Sequence, residues 1–489
     1  MSDLTPQFIG DQQLSANWFD GGWRTAAKSS DVVEPATGKT LGKIRIAGPD
    51  DIAAAAADAR DKQRAWAATS PDQRAAVFAE AIATAKANGP EIVEWIMRES
   101  GSVNAKAEFE LSITIKSLQL AMAMPHQAQG LVLPSESGKL SLAKRKPLGV
   151  VGVISPFNFP LYLATRAVAP AIAVGNAVVL KPDPRTAVCG GLTIARIFEM
   201  AGLPAGVLQV LPGSGDAGEA LCKDPNVAMI QFTGSTGAGR MVGRTAGEHL
   251  KKVSLELGGK NSLIVLDDAD LELAAKNAAW AAYLHQGQIC MSAGRILVQE
   301  SVAEEFAAKL AEHAKALPVG DPTSGQVAVG PMINTKQLDH AMKIIDDSRS
   351  GGASVLTGGS ADGLFLSPTV LSGVKKGIPA FDEEIFGPVA VVVPFGSDDE
   401  AVALANDTEY GLSAAVITPD IGRGMAIGNR LHAGLVHIND QTVNDDVVNP
   451  FGGVGASGNG TSIGGPANWE EFTHWQWMTV KAEAPAYPF

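Results

Sequence analysis

From Gly149 onward the chain alternates short apolar runs with helical spacers: GVVGVIS (149–155), AVVLKPD (177–183), VLQVLPG (207–213), AMIQFTG (228–234) and KVSLELG (252–258). Runs that are apolar at consecutive positions predict strands covered on both faces, and helical spacers between them predict a parallel sheet. After Gly259 a second series begins, with SLIVLDD (262–268), RILVQE (295–300), AVVVPF (390–395), AAVIT (414–418) and GLVHIN (434–439), and with helices at 270–286 and 302–317. The expected fold class is α/β, with two parallel-sheet, Rossmann-like units in succession.

Ahead of these units, residues 17–47 alternate apolar and polar positions, with turn signals at Asp20-Gly21-Gly22 and Pro35-Ala36-Thr37-Gly38. This predicts a short antiparallel lead-in. From Pro49 to about Pro125 the period becomes helical, in 51–68, 70–88 and 90–101, with Ser70 as an N-cap followed by Pro71. Two pieces fit neither unit: residues 126–147, which read as a hairpin, and the aromatic strand EFTHWQWMTVK at 471–481. An unpaired edge carrying Phe472, Trp475 and Trp477 invites aggregation, so these pieces are expected to form an arm used between subunits. The alternative is a C-terminal strand folded onto its own core. The basic cluster KLSLAKRK (139–146) reads as a solvated strand edge.

A length of 489 residues exceeds the ~250–300 that one core usually supports, so more than one domain is expected. With 39 basic and 52 acidic residues the net charge is −13, the wrong sign for neutralising phosphates, which argues against nucleic acid and anionic membrane surfaces as partners. The most apolar long stretch, Pro147 to Pro182, is interrupted by Pro156, Asn158, Pro160, Arg166 and Pro170 and does not read as a membrane span. The N-terminal MSDLTPQFIGDQQL lacks the basic and apolar regions of a secretory signal, and three scattered cysteines suit a reducing compartment. The expected localisation is cytoplasmic.

The motif GxGxxG occurs at Gly213–Gly218 after a predicted strand, but no acidic residue follows about 20 positions later, where 236–239 reads Thr-Gly-Ala-Gly. It reads either as a dinucleotide turn or, in preference, as a plain strand-to-helix connection. Gly234-Ser235-Thr236-Gly237-Ala238-Gly239 is the better phosphate loop, because small residues at a helix start let backbone N–H groups approach a pyrophosphate. Cys189 and Cys222 read as buried structural thiols. Cys290, in HQGQICMSAGR, is a candidate nucleophile once its company is considered. Glu256 ends an apolar strand beside Gly258 and Gly259, Asn158 lies between two phenylalanines and two prolines, and Lys181 stands at the carboxyl end of a strand, the edge where such sheets bind ligands.

With PFNFP, LKP, FTGST, LELGGK, GQIC, EEIFGP and PFGG in this order, the sequence resembles the NAD(P)-dependent aldehyde dehydrogenase superfamily over roughly residues 15–480. The resemblance implies Cys290 as nucleophile, Glu256 as general base and Asn158 as oxyanion donor. It places Lys181 and Glu384 on ribose hydroxyls, Gly234, Ser235 and Gly239 at the pyrophosphate, and Phe386 by the nicotinamide, with Ser155, Phe157 and Leu257 in the same cofactor site. It also implies residues 1–125 and 148–257 as the dinucleotide-binding domain, 258–456 as the catalytic domain, 126–147 and 471–489 as the oligomerisation arm, and a homodimer or homotetramer. The chemistry is coherent without the family name. A thiolate adds to an aldehyde carbonyl, preorganised donors hold the oxyanion, and a base activates water on the resulting thioester. No HExxH or GxSxG motif points to a metalloenzyme or a serine hydrolase.

Two features depart from the common family pattern. Pro184 stands where many members carry a ribose-binding glutamate, which leaves NAD preferred with NADP as the alternative, since Arg185 is positioned to attract a 2′-phosphate. Phe157 replaces a frequent Trp. The wording of FDGGWR and ANWEEFTHWQWMTV is most similar to the benzaldehyde dehydrogenase branch, which implies a small-molecule aromatic aldehyde as substrate. Phe159, Tyr162, Leu284, Ile289 and Phe451 are the expected pocket walls. Arg166 either faces the entrance, attracting a ring substituent, or forms a salt bridge within the fold. The rival functions are oxidation of aliphatic aldehydes or semialdehydes, transfer of the acyl group to CoA, and a non-catalytic binding protein that keeps the fold.

Overall fold

The computed structural model describes residues 8–15, 18–24 and 29–489. Residues 1–7 of the predicted non-secretory N-terminus, and Asn17 and 25–28 of the antiparallel lead-in, lie outside the described residues.

Four helices cover residues 49–123: α1 (Pro49–Ala67), α2 (Pro71–Ala87), α3 (Gly89–Ser100) and α4 (Asn104–Ala123). Ser70 caps α2 as its sequence suggests. Gln73 N–H donates to Ser70 Oγ at 3.2 Å and Ser70 N–H donates to Gln73 Oε1 at 2.9 Å, so two orphan donors are satisfied reciprocally.

The first sheet contains five parallel strands, β1 (Val150–Ile154), β2 (Ala177–Lys181), β3 (Leu208–Val210), β4 (Val227–Thr233) and β5 (Lys252–Glu256), in the spatial order β5-β4-β1-β2-β3. Antiparallel pieces at Trp18–Phe19 and Trp23–Arg24 extend its edge. Val151, Val153, Val178 and Leu180 point into one apolar cluster, and Val150, Ile154, Ala177 and Val179 into another, which accounts for the unbroken apolar runs. Strand order reverses between β1 and β4, and the crevice outside their carboxyl ends is where an open sheet of this kind takes a ligand. The connecting helices are α5 (Pro160–Ala173), α6 (Gly215–Lys223) and α7 (Thr236–Glu248).

The second sheet holds β6 (Asn261–Val265), β7 (Ala293–Gln299), β8 (Val389–Phe395), β9 (Ser413–Ile417) and β10 (Leu435–Ile438), all parallel, in the order β8-β7-β6-β9-β10. Beyond β8 the sheet continues with Thr369–Ser372, parallel to β8, and ends in the antiparallel strand Ser354–Thr357. The longer helices are α8 (Leu271–Tyr283), α9 (Glu300–Ala316) and α10 (Thr335–Ser350), and the shorter helices Asp398–Asn406 and Ile421–Gly428 connect β8 to β9 and β9 to β10. Sequence pattern assigned no element to α10, although Asn334 caps it by accepting from Gln337 N–H at 3.0 Å. Because β5 ends at Glu256 and β6 starts at Asn261, the chain passes between the sheets within a few residues, and the carboxyl end of β5 meets the amino end of β6.

Two expectations need correction. The helix predicted to reach residue 286 stops at Tyr283, and His285 and Gln286 take left-handed φ values of 49° and 57°. Gln286 offsets that strain by donating its side-chain amide to the carbonyls of Gly101 (2.9 Å) and Pro331 (2.7 Å). The basic run 139–146 is no edge: Lys139–Pro147 is the middle of a three-stranded sheet, paired with Gly130–Val132 on one side and with Thr473–Lys481 on the other. Arg145 is held there by Glu470 and lies 4.1 Å over the Trp475 ring. Along Thr473–Lys481 only Thr473 is buried, so this strand does not fold onto the core. Among the described residues no helix is long and apolar enough to cross a membrane.

Candidate active site

A cleft of about 1000 Å³ opens at the carboxyl ends of β1, β2, β4 and β5. All three candidate catalytic residues line it, as do Ser155, Phe157, Lys181, Gly234, Ser235, Leu257, Glu384 and Phe386. Gly239 stands behind the wall. A Cβ there would lie 2.3 Å from Leu257 Cδ2, so glycine lets α7 close onto the crossover between the sheets. The Gly213–Gly218 turn is the strand-to-helix connection its sequence suggests, between β3 and α6, and it also lines this cleft, where the Gly213 carbonyl accepts from Lys181 Nζ at 2.7 Å.

Asn158 ends the loop after β1. Its Nδ2 donates to the Gln288 carbonyl at 2.9 Å and its Oδ1 accepts from Phe159 N–H at 3.1 Å, so the carboxamide is oriented from both ends and one N–H remains. Cys290 lies in the loop that enters β7, where its carbonyl accepts from Asn261 Nδ2 at 2.8 Å. Asn261 Oδ1 in turn accepts from Ser413 N–H at 2.9 Å, tying the loop to β9. Gly287 makes the approach feasible. Its φ is 66°, and a Cβ would stand 2.2 Å from the Gly387 carbonyl oxygen.

The electrostatics are those of a carboxylate and a thiol withdrawn from water. Among the described residues, neither oxygen of Glu256 has a hydrogen-bond partner. Burial raises its pKa well above the ordinary carboxylate value; Arg166 opposes this, while Asp445 and Glu471 add to it. Burial likewise pushes the Cys290 thiol up to about 12, with the charges of Glu384, Glu256 and Asp445 adding and the Met291 N–H opposing. Glu384 is raised to about 7 by burial, against the hydrogen bond from Gly259 N–H at 2.9 Å.

None of the expected substrate-pocket residues lines this cleft. Phe159, Tyr162, Ile289 and Phe451 are instead buried in one apolar cluster, with Leu284 and Cys290 packed against it. Cys290 therefore borders the cleft on one side and an aromatic cluster on the other. Arg166 is 3% exposed and does not face an entrance. It forms an ion pair with Asp445, donates to the Ile463 carbonyl at 3.1 Å and stacks 4.5 Å over the Phe451 ring. The Tyr162 hydroxyl donates to the same Asp445 at 2.9 Å. Asp445 and Gln288 escaped the sequence reading, because nothing in their local pattern shows what they face. Asn261 had a signal, a polar residue opening an apolar strand directly after LELGGK.

The cleft fits a dinucleotide. The first turn of α7 turns its free N–H groups to the wall formed by Gly234, Ser235 and Ala238, the buried Ser155 Oγ has no partner, and Lys181 and Glu384 offer a cation and a carboxylate. Phe157 and Phe386, which come from different sheets, meet edge to face with centroids 5.9 Å apart. The aldehyde dehydrogenase family model matches residues 23–478. The chain belongs to the aldehyde dehydrogenase family. It is 53% identical to vanillin dehydrogenase of an Amycolatopsis species, covering 99% of this chain and 100% of the relative. It is 46% identical to the NAD(+) benzaldehyde dehydrogenase of Pseudomonas putida, covering 97% of each. Among solved structures, betaine aldehyde dehydrogenase of Staphylococcus aureus in complex with NAD+ superposes with a TM-score of 0.94 at 27% identity, covering 97% of this chain and 96% of that one. These likenesses bear out the α/β fold class expected from the apolar runs.

In this aldehyde dehydrogenase the unpartnered Glu256 carboxylate has a measurable consequence for stability. A folded-state pKa raised above the unfolded value means that the native state binds the proton more tightly. Stability is then lost as pH rises from the ordinary carboxylate range to the elevated one. Glu256→Gln is expected to unfold at a higher temperature than the wild type at pH 8, with the difference closing near pH 4. Thermal melts at both pH values check this, and equal melting temperatures at pH 8 count against a strained carboxylate.

Proposed function

We propose that this chain oxidises aromatic aldehydes of the benzaldehyde type to carboxylates with NAD, in the cytoplasm, as a homo-oligomer. The observation that carries the reading is the place of Cys290, between the cleft and the aromatic cluster, with Glu256 and Asn158 on the same wall. The names of the relatives supply the substrate class.

Cys290 adds its sulfur to the aldehyde carbon, and the thiol proton leaves toward Glu256. This transfer moves a charge from one buried group to another without creating net charge in the site, which suits a thiol raised to about 12. The free N–H of Asn158 and the Cys290 backbone N–H hold the oxyanion. NAD, when bound, supplies the hydride acceptor. Glu256 passes that proton to solvent and then deprotonates the water that adds to the thioester left on Cys290; the carbon–sulfur bond breaks, the sulfur leaves as thiolate and regains a proton, and the carboxylate is released. The aromatic cluster of Phe159, Tyr162, Leu284, Ile289 and Phe451, against which Cys290 packs on the side away from the cleft, is the side that receives the ring, and the Arg166–Asp445 pair braces it from behind.

Lys181 and Glu384 would hold ribose hydroxyls, Gly234 and Ser235 would take the pyrophosphate at the start of α7, where Gly239 lets the helix close in behind them, and Ser155, Phe157, Leu257 and Phe386 would complete the nicotinamide end. NAD is favoured over NADP because Arg185 is already engaged. Its Nε and Nη2 donate to Asp183 at 2.8 and 2.6 Å, and its guanidinium stacks 4.2 Å over Phe157. Residues 1–125 and 148–257 serve as the dinucleotide-binding domain and 258–456 as the catalytic domain. The sheet formed from 126–147 and the C-terminal strand joins subunits, a role supported by the exposure of Leu131, Val132, Trp475 and Trp477 on it.

Cys290→Ser is expected to lose roughly 10³-fold or more in turnover with NAD binding retained. Glu256→Gln is expected to slow thioester hydrolysis by about 10²- to 10⁴-fold. The acid limb of the wild-type rate profile should lie above the ordinary carboxylate range, because the base acts only after losing its proton. NADH absorbance with benzaldehyde, hydroxybenzaldehydes, aliphatic aldehydes and semialdehydes tests the substrate class, and a preference for short aliphatic aldehydes overturns it. Asp183→Asn releases Arg185 and should raise the NADP-to-NAD ratio of kcat/KM by about three- to tenfold. An unchanged ratio removes Arg185 from cofactor choice.

A further inference from the structure

A buried ion pair lies directly behind the Asn158 loop. Lys106 and Glu110, one turn apart on α4, have fully buried side chains, and Lys106 Nζ donates to Glu110 Oε2 at 2.6 Å. The same Nζ donates to the Asn158 backbone carbonyl at 2.7 Å and stands 4.1 Å over the Phe159 ring. The other carboxylate oxygen, Glu110 Oε1, accepts from Leu161 N–H at 2.8 Å and Tyr162 N–H at 3.2 Å. These are orphan donors in the first turn of α5, whose N-cap residue Phe159 makes no side-chain cap. A carboxylate from α4 therefore caps α5, and the lysine that neutralises it reaches one residue further back, to the loop carrying the candidate oxyanion donor.

We infer that the Lys106–Glu110 pair is a positioning device for the oxyanion donor: it fixes the 158–159 peptide plane and thereby aims the remaining Asn158 amide N–H at the reacting oxygen. The inference rests on the reading of Asn158 as oxyanion donor. Its physical basis is a closed set of bonds. Both polar groups of the 158–159 peptide are held, the carbonyl by Lys106 and the N–H by Asn158 Oδ1, and Gln288 takes one amide hydrogen. With every other direction occupied, the last N–H has one orientation as long as the peptide plane stays fixed. A buried ion pair is weak evidence for stability, since apolar residues of similar volume often do as well, so its contacts with this loop point to placement. Leu161 and Tyr162 lie on the same loop-to-helix turn, which couples the start of the aromatic wall to the same pair.

The test uses full-length enzyme with benzaldehyde and NAD, and rates are expressed per NAD-binding site so that any misfolded fraction drops out. Lys106→Met/Glu110→Gln removes both charges together and keeps an acceptor for the start of α5; Lys106→Met alone is the comparison variant. The double variant is expected to slow the first turnover of NADH by roughly tenfold to hundredfold. Thioester hydrolysis, followed by acyl-enzyme decay, forms an oxyanion at the same carbon and should slow along with it, whereas the Kd for NAD should stay within about twofold. In an Asn158→Ala background the same substitutions should cause no further loss. An unchanged first turnover, a loss that adds in full to that of Asn158→Ala, or an equal loss in NAD affinity and both half-reactions overturns the inference. If Asn158→Ala itself leaves the first turnover intact, the oxyanion reading fails instead. The two failures are therefore distinguishable.

Discussion

A carboxylate and a thiol share a pocket from which water is largely withdrawn, and no cation is hydrogen-bonded to either. Among the described residues neither Glu256 oxygen has a partner, Cys290 is raised to about 12, and Glu384, bonded to Gly259 N–H, adds a third acid to the lining of the cleft. Such a cluster disfavours every additional negative charge, so the Cys290 thiol keeps its proton until the Glu256 carboxylate takes it. The nearest opposing charge to Glu256, Arg166, is already neutralised by Asp445. The site is poised to exchange one proton between two buried groups while leaving net charge unchanged, and that requirement constrains everything built around it.

Holding these groups together falls to backbone carbonyls and amides more than to further charges. Asn158 is aimed by Gln288 and its own neighbour, Cys290 is tethered by Asn261, and Gln286 compensates a left-handed turn by bonding two carbonyls. The Asn158–Gln288 bond links loops of the two sheets and Gln286 reaches the helical layer at 49–123, while Cys290 is tied within its own sheet. Rigid elements thus supply the precision, and the loops that carry the chemistry are left little freedom.

At the cofactor end, steric openness matters as much as charge. Gly239 lets α7 rest on Leu257, and the Gly213 turn brings its carbonyl within reach of Lys181. Arg185, next to the Pro184 that departs from a common family pattern, is committed to Asp183 and Phe157. A charge visible in a sequence is not a free charge, and its partner two residues away decides what it attracts.

Strand positions, parallel character and the order of the two sheets were legible in the chain, because burial on both faces leaves unbroken apolar runs such as 149–155 and 390–395. The Ser70 cap and the residues of the cleft were legible too, since caps and glycine-rich loops are local chemistry. What the sequence could not express were relations between distant segments. These include the central place of Lys139–Pro147 in its sheet, the burial of Arg166 on Asp445, the left-handed turn at His285, and the contact of Lys106 with a carbonyl 52 positions away. A local pattern records which face of an element is apolar. Which polar group waits on the far side is decided only when the elements pack, because hydrogen bonds and ion pairs depend on a few ångströms of approach that no spacing along the chain encodes.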